Sequence, residues 1–268
     1  MSDDAGRAWK DWHEHRVDTV SAPYGPLALT ATHWLADYPD GRIPAVPGRW
    51  QETDGRVRLT ATEADGLTLD GAPFAGTARL DPDHAPPAGA RVAAGPLHLV
   101  VVRREGAVAV RVFDPDSPAR RAFRGIEVTP YDPALVLPGR FRPYGEQRTV
   151  RVETADGQVR GLGLDGELVF DRAGTEHRLH VAADGESGAL WAVFADVTSS
   201  LTSYRFRFLK PGPPHRDGRV TVDLNRAELP PCAFAEHFIC PFPPPGNTLP
   251  FEVTAGERRL KAALAPPF

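Results

Sequence analysis

The chain has 268 residues, a formal net charge of −4 from 31 basic and 35 acidic side chains, 28 prolines and 25 glycines. That length builds one large domain or two small ones with a core that needs no disulfides or metals, and the near balance of charge excludes the strongly basic footprint of a nucleic-acid binder. Proline at about twice its usual share of ~5% leaves little room for long helices, since each proline removes a backbone donor, so strands and loops are expected.

The opening residues M-S-D-D-A-G-R-A-W-K lack the apolar core of a signal peptide, and no stretch approaches the run of ~18 apolar residues that a spanning helix needs. With only Cys232 and Cys240, a reducing cytoplasm and a soluble, membrane-free chain are expected. Lysine occurs only at Lys10, Lys210 and Lys261 among many arginines, alanines and prolines, a bias that reads as GC-rich bacterial coding sequence.

Residues 3–20 carry the one helical pattern: Trp9, Trp12, Arg16 and Val20 fall at helical spacing, Asp3 or Asp4 is placed to cap it, and Ala22-Pro23 ends it. Its tryptophans are expected to pack on the first sheet. Asp-Gly pairs then punctuate the chain at 40–41, 54–55, 65–66, 70–71, 156–157, 165–166, 184–185 and 217–218, the dipeptide that suits tight hairpin turns. Leu97–Arg104 and Ala107–Phe113 read as a hairpin turning at Glu105-Gly106. In the second half Thr149–Glu153, Gln158–Leu162, Glu167–Asp171, His177–Val181 and Ala189–Phe194 follow at the spacing of an antiparallel meander. Tyr204, Phe206 and Phe208 alternate with Arg205 and Arg207, and Val220, Val222 and Leu224 alternate with Thr221 and Asp223. The pattern predicts an all-β, mainly antiparallel fold with one N-terminal helix: a helix over 1–22, a sandwich-like half over 23–114, a proline-rich rigid connector over 115–148, and a barrel-like half over 149–268.

From Asp223 to Glu257 the chain reads D-L-N-R-A-E-L-P-P-C-A-F-A-E-H-F-I-C-P-F-P-P-P-G-N-T-L-P-F-E-V-T-A-G-E. This resembles the prokaryotic domain-of-unknown-function family numbered 1684, through Asp223, Asn225, Pro231, Cys232, Ala233, Cys240, Pro241, Pro243, Pro244, Asn247, Ala255, Gly256 and Glu257. Upstream, Asp114, Ser117, Pro118, Arg120, Phe123 and Gly125 resemble its central motif, and Tyr204 and Arg207 its tyrosine-glycine-arginine strand. The resemblance implies no activity, because the family has none assigned. The chain departs from the pattern where Gly246 replaces an acid, where Arg205-Phe206 replaces glycines, and at Ala134-Leu135-Val136, where an aromatic-arginine pair is usual.

Cys232, His237 and Cys240 offer three zinc-type donors without a fourth nearby, so no metal and no cofactor are expected. Two buried thiols packing as small hydrophobes is the expectation for the cysteines; a loop disulfide and a Cys232 nucleophile are the alternatives. His177 shares a strand face with Leu179 and Val181 and reads as a core histidine, with His180 pointing the other way. The candidate ligand-binding residues are Tyr204, Arg207, Asp223, Asn225 and Asn247. If their strands are neighbours, Arg207 meets Asp223 across the ladder and the two asparagines join them from the loop; an exposed ion pair with turn-forming asparagines is the plainer alternative. The expected function is a small-molecule-binding protein with a polar pocket near this motif. A cofactor-independent hydrolase or lyase using Asp223 and Arg207, or an interaction scaffold, are the other readings.

Overall fold

In the computed structural model, residues 2–82 and 89–261 are described. The chain divides into two compact units, one of residues 1–17 with 124–268 and one of residues 18–123. One boundary falls between residues 123 and 124, the other between residues 17 and 18.

Among the described residues of the second of these units, nine strands form two sheets. They are β1 (Leu29–Trp34), β2 (Arg49–Thr53), β3 (Arg56–Ala61), β4 (Leu67–Leu69), β5 (Ala72–Pro73), β6 (Gly76–Leu80), β7 (Val92–Ala94), β8 (Leu97–Arg104) and β9 (Ala107–Phe113). A six-stranded sheet of order β1-β9-β8-β7-β4-β5 and a three-stranded sheet β2-β3-β6 share one core, in which Trp50, Val57 and Leu59 join Leu99, Val101 and Val110. This is the expected sandwich. The β8–β9 hairpin has its predicted bounds, with Glu105 at φ 47° and Gly106 at φ 83° in its turn. The upstream family motif is a structural cap here. Ser117 Oγ accepts from the Arg120 amide (3.2 Å) at the start of a one-turn helix and donates to the Leu27 carbonyl (2.6 Å).

The other unit is built on helix α1 (Ser2–Ser21), which crosses the division between units, and on β10 (Ile126–Val128), β11 (Val136–Glu153), β12 (Val159–Arg172), β13 (Thr175–Ala183), β14 (Leu190–Phe194), β15 (Arg207–Leu209), β16 (Arg219–Asp223) and β17 (Glu257–Leu260). An antiparallel sheet of order β15-β14-β13-β12-β11-β16 curls into a half-barrel. Its core gathers Leu168, Phe170, Leu179, Val181, Phe194 and Val222. A short ladder, β10–β17, stands apart from it.

Four expectations change. The Trp9 indole donates to the Asn225 carbonyl (2.8 Å) and Arg226 lies over the Trp12 ring, so this part of α1 rests on its own C-terminal unit and not on the first sheet. Because α1 starts at Ser2, Asp4 lies within its first turn; the Asp3 side chain is outside the described residues. Residues 115–148 are not a connector: they contain a one-turn helix, β10 and the first two-thirds of β11. The prolines there sit where the ladder is incomplete, Pro138 just before pairing with β12 begins at Gly139, and Pro143 at an irregularity. Asp165-Gly166 makes no turn but lies inside β12, because a Cβ at Gly166 would meet the Phe141 ring at 2.4 Å and the Arg142 carbonyl at 2.5 Å. That glycine serves close packing between strands. By contrast Asp54-Gly55 and Asp70-Gly71 have positive φ at both residues, as hairpin turns require.

Candidate functional site

Arg207 and Asp223 do not meet. They lie on β15 and β16, the two opposite edges of the six-stranded sheet. Arg207 is not on an exposed polar face but fully buried, and its guanidinium is 2.5 Å from Asp196, a residue just past β14. It also donates to the carbonyls of Ala255 (2.6 Å) and Val253 (2.9 Å), so it ties the C-terminal segment to the sheet. Asp223 caps the turn after β16, accepting from the amide and the side chain of Asn225 (3.0 and 2.9 Å).

Both asparagines are fully buried and act as backbone surrogates. Asn225 accepts from the Asp132 amide (2.8 Å) and donates to the Asp132 carbonyl (2.9 Å). Asn247 accepts from the His180 amide (2.7 Å) and donates to the carbonyls of His180 (2.9 Å) and Val193 (2.8 Å). Strands β13 and β14 pair only at Ala182↔Trp191 and Ala183↔Leu190. The same register continued would join His180 to Val193, so Asn247 inserts its amide where the two strands part. Of the five residues, Asp223 and Tyr204 are half-buried, the Tyr204 hydroxyl donating toward the Cys232 carbonyl (3.3 Å) and sulfur (3.8 Å).

The residue that Asn247 fixes is the one with chemistry to offer. His180 alternates with Leu179 and Val181 of the main core, so its ring lies on the other face of the sheet. There Tyr144 Oη stands 2.6 Å from His180 Nδ1. Tyr144 reaches this place because the β11–β12 register slips between Pro143 and Arg148, and an irregularity of this kind re-aims the side chains within it. Asp165 holds the slip, accepting from Gln147 (2.9 Å) and from the Ala183 amide (2.8 Å). Arg148 lies 3.8 Å over the Tyr144 ring, and Val150, Leu164 and Trp191 belong to the same apolar cluster as that ring. Burial, and then the nearby Glu167, raise the Tyr144 phenol above its ordinary value, which keeps it a hydrogen-bond donor. On its far side the imidazole faces Gly246, where a Cβ would come within 3.0 Å of His180 Nε2. With φ at +93°, Gly246 satisfies a left-handed turn and leaves that nitrogen uncovered by a side chain of its own.

Two further groupings belong to this unit. Cys232 and Cys240 are buried thiols, not joined by a disulfide, in an aromatic cluster with Phe206 and Phe208. Glu257, fully buried, accepts from the Leu229 amide (2.7 Å) and faces Arg16 of α1 at 3.3 Å, while Glu228 beside it is paired with Lys210. Among the described residues no three His, Cys, Asp or Glu side chains are grouped to hold a metal. The other unit has a shallow cavity of about 210 Å³ against Leu35, Tyr38, Trp50 and Glu52, but its tyrosine is already engaged by His33 at 3.1 Å.

The family pattern described as "Protein of unknown function (DUF1684)" matches residues 121–258, just over half of the chain. The chain belongs to this family. Among solved structures, the solution NMR structure of an uncharacterized protein of Haloarcula marismortui is similar, at 33% identity over 54% of this chain and 82% of that one, with a TM-score of 0.45. No curated protein matches. In this DUF1684 member the motif residues Asp223, Asn225 and Asn247 are chiefly spent on holding backbone together. The departure at Gly246 stands directly on His180, so the position where the family pattern carries an acid adjoins the imidazole. Tyr144 and His180 are 36 residues apart on strands separated by β12. The one signal for them in the sequence was that His180 points away from the core face.

Proposed function

We propose that this chain is a cytoplasmic small-molecule-binding protein whose ligand is held at the Tyr144–His180 pair, beside the C-terminal motif. The observation that carries this reading is the 2.6 Å contact between Tyr144 Oη and His180 Nδ1 in a half-buried setting. A phenol that donates to Nδ1 leaves the proton of the neutral ring on Nε2. Gly246 sets no side chain against that N–H, and the exposed Arg148 guanidinium lies nearby on the Tyr144 ring. Two donors and an apolar wall of Trp191 and Leu164 suit a small organic molecule bearing a carboxylate or carbonyl oxygen. Asn247 is a positioning residue in this site: it clamps the His180 backbone from both sides. The cytoplasmic setting is supported by two cysteines that stand as thiols and not as a disulfide. Arg207 and Asp223 are not carried forward as an acid–base pair, since the guanidinium is committed to Asp196.

Saturation-transfer NMR with a library of small aliphatic and aromatic carboxylates tests this. Hits on the wild-type chain should weaken at least about tenfold in Tyr144→Phe and in His180→Gln. An absence of hits, or hits that both variants retain, would overturn the reading.

A further inference from the structure

We propose that Cys232 and Cys240 form a peroxide-sensitive dithiol that closes into an intramolecular disulfide, a modification site independent of the ligand reading above. The Cys232 amide donates to Cys240 Sγ at 3.3 Å, so the Cys240 sulfur lies against the Cys232 backbone in the reduced chain. The Tyr204 hydroxyl lies 3.8 Å from the same Cys232 sulfur. Arg205, exposed and stacked 4.4 Å from the Phe242 ring, adds a positive charge beside it.

Two thiols serving only as small hydrophobes would be held protonated by burial. Here the hydrogen bond from Cys240, helped by Tyr204 and Arg205, outweighs burial and draws the Cys232 thiol down to about 7. The phenol of Tyr204, pushed up to about 12 by burial and by Cys232, stays a donor throughout. The loop is stiff: prolines flank it, and the 3₁₀ turn Pro231–Ala233 and the bridge from Thr154 to Pro241 anchor its two ends. Closure then has to come from rotation of the two side chains toward one another within this anchored loop.

The chemistry balances with a hydroperoxide as oxidant. The Cys232 thiolate attacks the terminal peroxide oxygen, the O–O bond breaks, and the departing alkoxide leaves as an alcohol after taking a proton, so Cys232 becomes a sulfenic acid. The Cys240 thiol then attacks that sulfur, the S–O bond breaks, and hydroxide leaves as water with the Cys240 proton. Two thiols lose two electrons to the peroxide, and one S–S bond forms.

The test treats the full chain with hydrogen peroxide near neutral pH, blocks remaining thiols by alkylation, and digests with a glutamate-specific protease, which cuts between the cysteines at Glu236. The expected product is a disulfide joining the two resulting peptides, reversed by dithiothreitol. In Cys240→Ser the reaction should stop at a sulfenic acid on Cys232 that dimedone captures. In Cys232→Ser, Cys240 should oxidise at least about tenfold more slowly, since the Cys232 sulfenic acid that it attacks no longer forms. The proposal is overturned if both thiols of the native chain survive peroxide that oxidises free cysteine, if the bridges form only between chains, or if Cys240 reacts as fast without Cys232. Should either variant fail to fold, the wild-type peptide map alone decides.

Discussion

The buried carboxyl of Glu257 makes stability depend on pH in a direction opposite to that of an ordinary paired acid. Burial, opposed but not cancelled by Arg16 and the Leu229 amide, raises this carboxyl from 4.5 to about 7. Arg16 Nε, 3.3 Å from the carboxyl, pulls the other way, but burial is the larger effect and the neighbouring Glu228 adds to it. A group whose folded value lies above its unfolded one contributes its full stability below the unfolded value, and loses that contribution as pH rises through the folded value. The window is therefore about pH 4.5 to 7. At ~1.36 kcal/mol per pH unit the loss across it is about 3 kcal/mol, an order-of-magnitude figure. Glu257→Gln keeps an acceptor for the Leu229 amide and removes the titration. Any fixed penalty from placing the amide against Arg16 does not vary with pH. Urea unfolding followed by tryptophan fluorescence, on both chains between about pH 4.5 and 8, reads the difference. The wild type should lose about 3 kcal/mol relative to the variant over that range and level off above pH 7. A pH-independent difference, or a wild type that gains on the variant as pH rises, would refute the argument.

Arg207→Ala should cost about 3–5 kcal/mol in the same assay, because it strands the buried Asp196 carboxylate and frees the carbonyls of Ala255 and Val253; a change under about 1 kcal/mol would mean the pair is solvated. Asn247→Ala should cost about 3 kcal/mol by leaving the polar groups of His180 and Val193 without partners, and should also slacken ligand binding; unchanged urea midpoints would contradict the surrogate role. Gly246→Ala should destabilise by about 1–2 kcal/mol through its +93° φ, and should displace the His180 ring, visible as shifted ring resonances; an unperturbed spectrum would remove Gly246 from the site.

The period-two alternation made the β8–β9 hairpin readable to the residue and the strands from β11 to β16 readable in part, because each follows from local sequence. What failed was non-local. Asp165-Gly166 carries a turn signature, yet the need for a residue without a side chain against Phe141 fixes it inside β12. Alternation put Arg207 on a polar face, but the edge strand β15 is covered on both sides, by the main core at Leu209 and by the aromatic cluster at Phe206 and Phe208, so the charge is internal and takes Asp196 as partner. The motif asparagines suggested ligands because the loop was expected to bring them to an Arg207–Asp223 pair; the structure shows their bonds spent on Asp132, His180 and Val193. Tyr144 was invisible, since the slip in β11 that aims it at His180 carries no local signature.

The most direct measurement of the account is a long-range ¹H–¹⁵N spectrum of the histidine rings near neutral pH, in the wild type and in Tyr144→Phe, with and without a carboxylate hit. The account predicts His180 as the tautomer protonated at Nε2 with an unprotonated, hydrogen-bonded Nδ1, an Nε2 resonance that moves on adding the ligand, and loss of both features in Tyr144→Phe. A ring protonated at Nδ1, or an Nε2 resonance indifferent to ligand and to Tyr144, would contradict it.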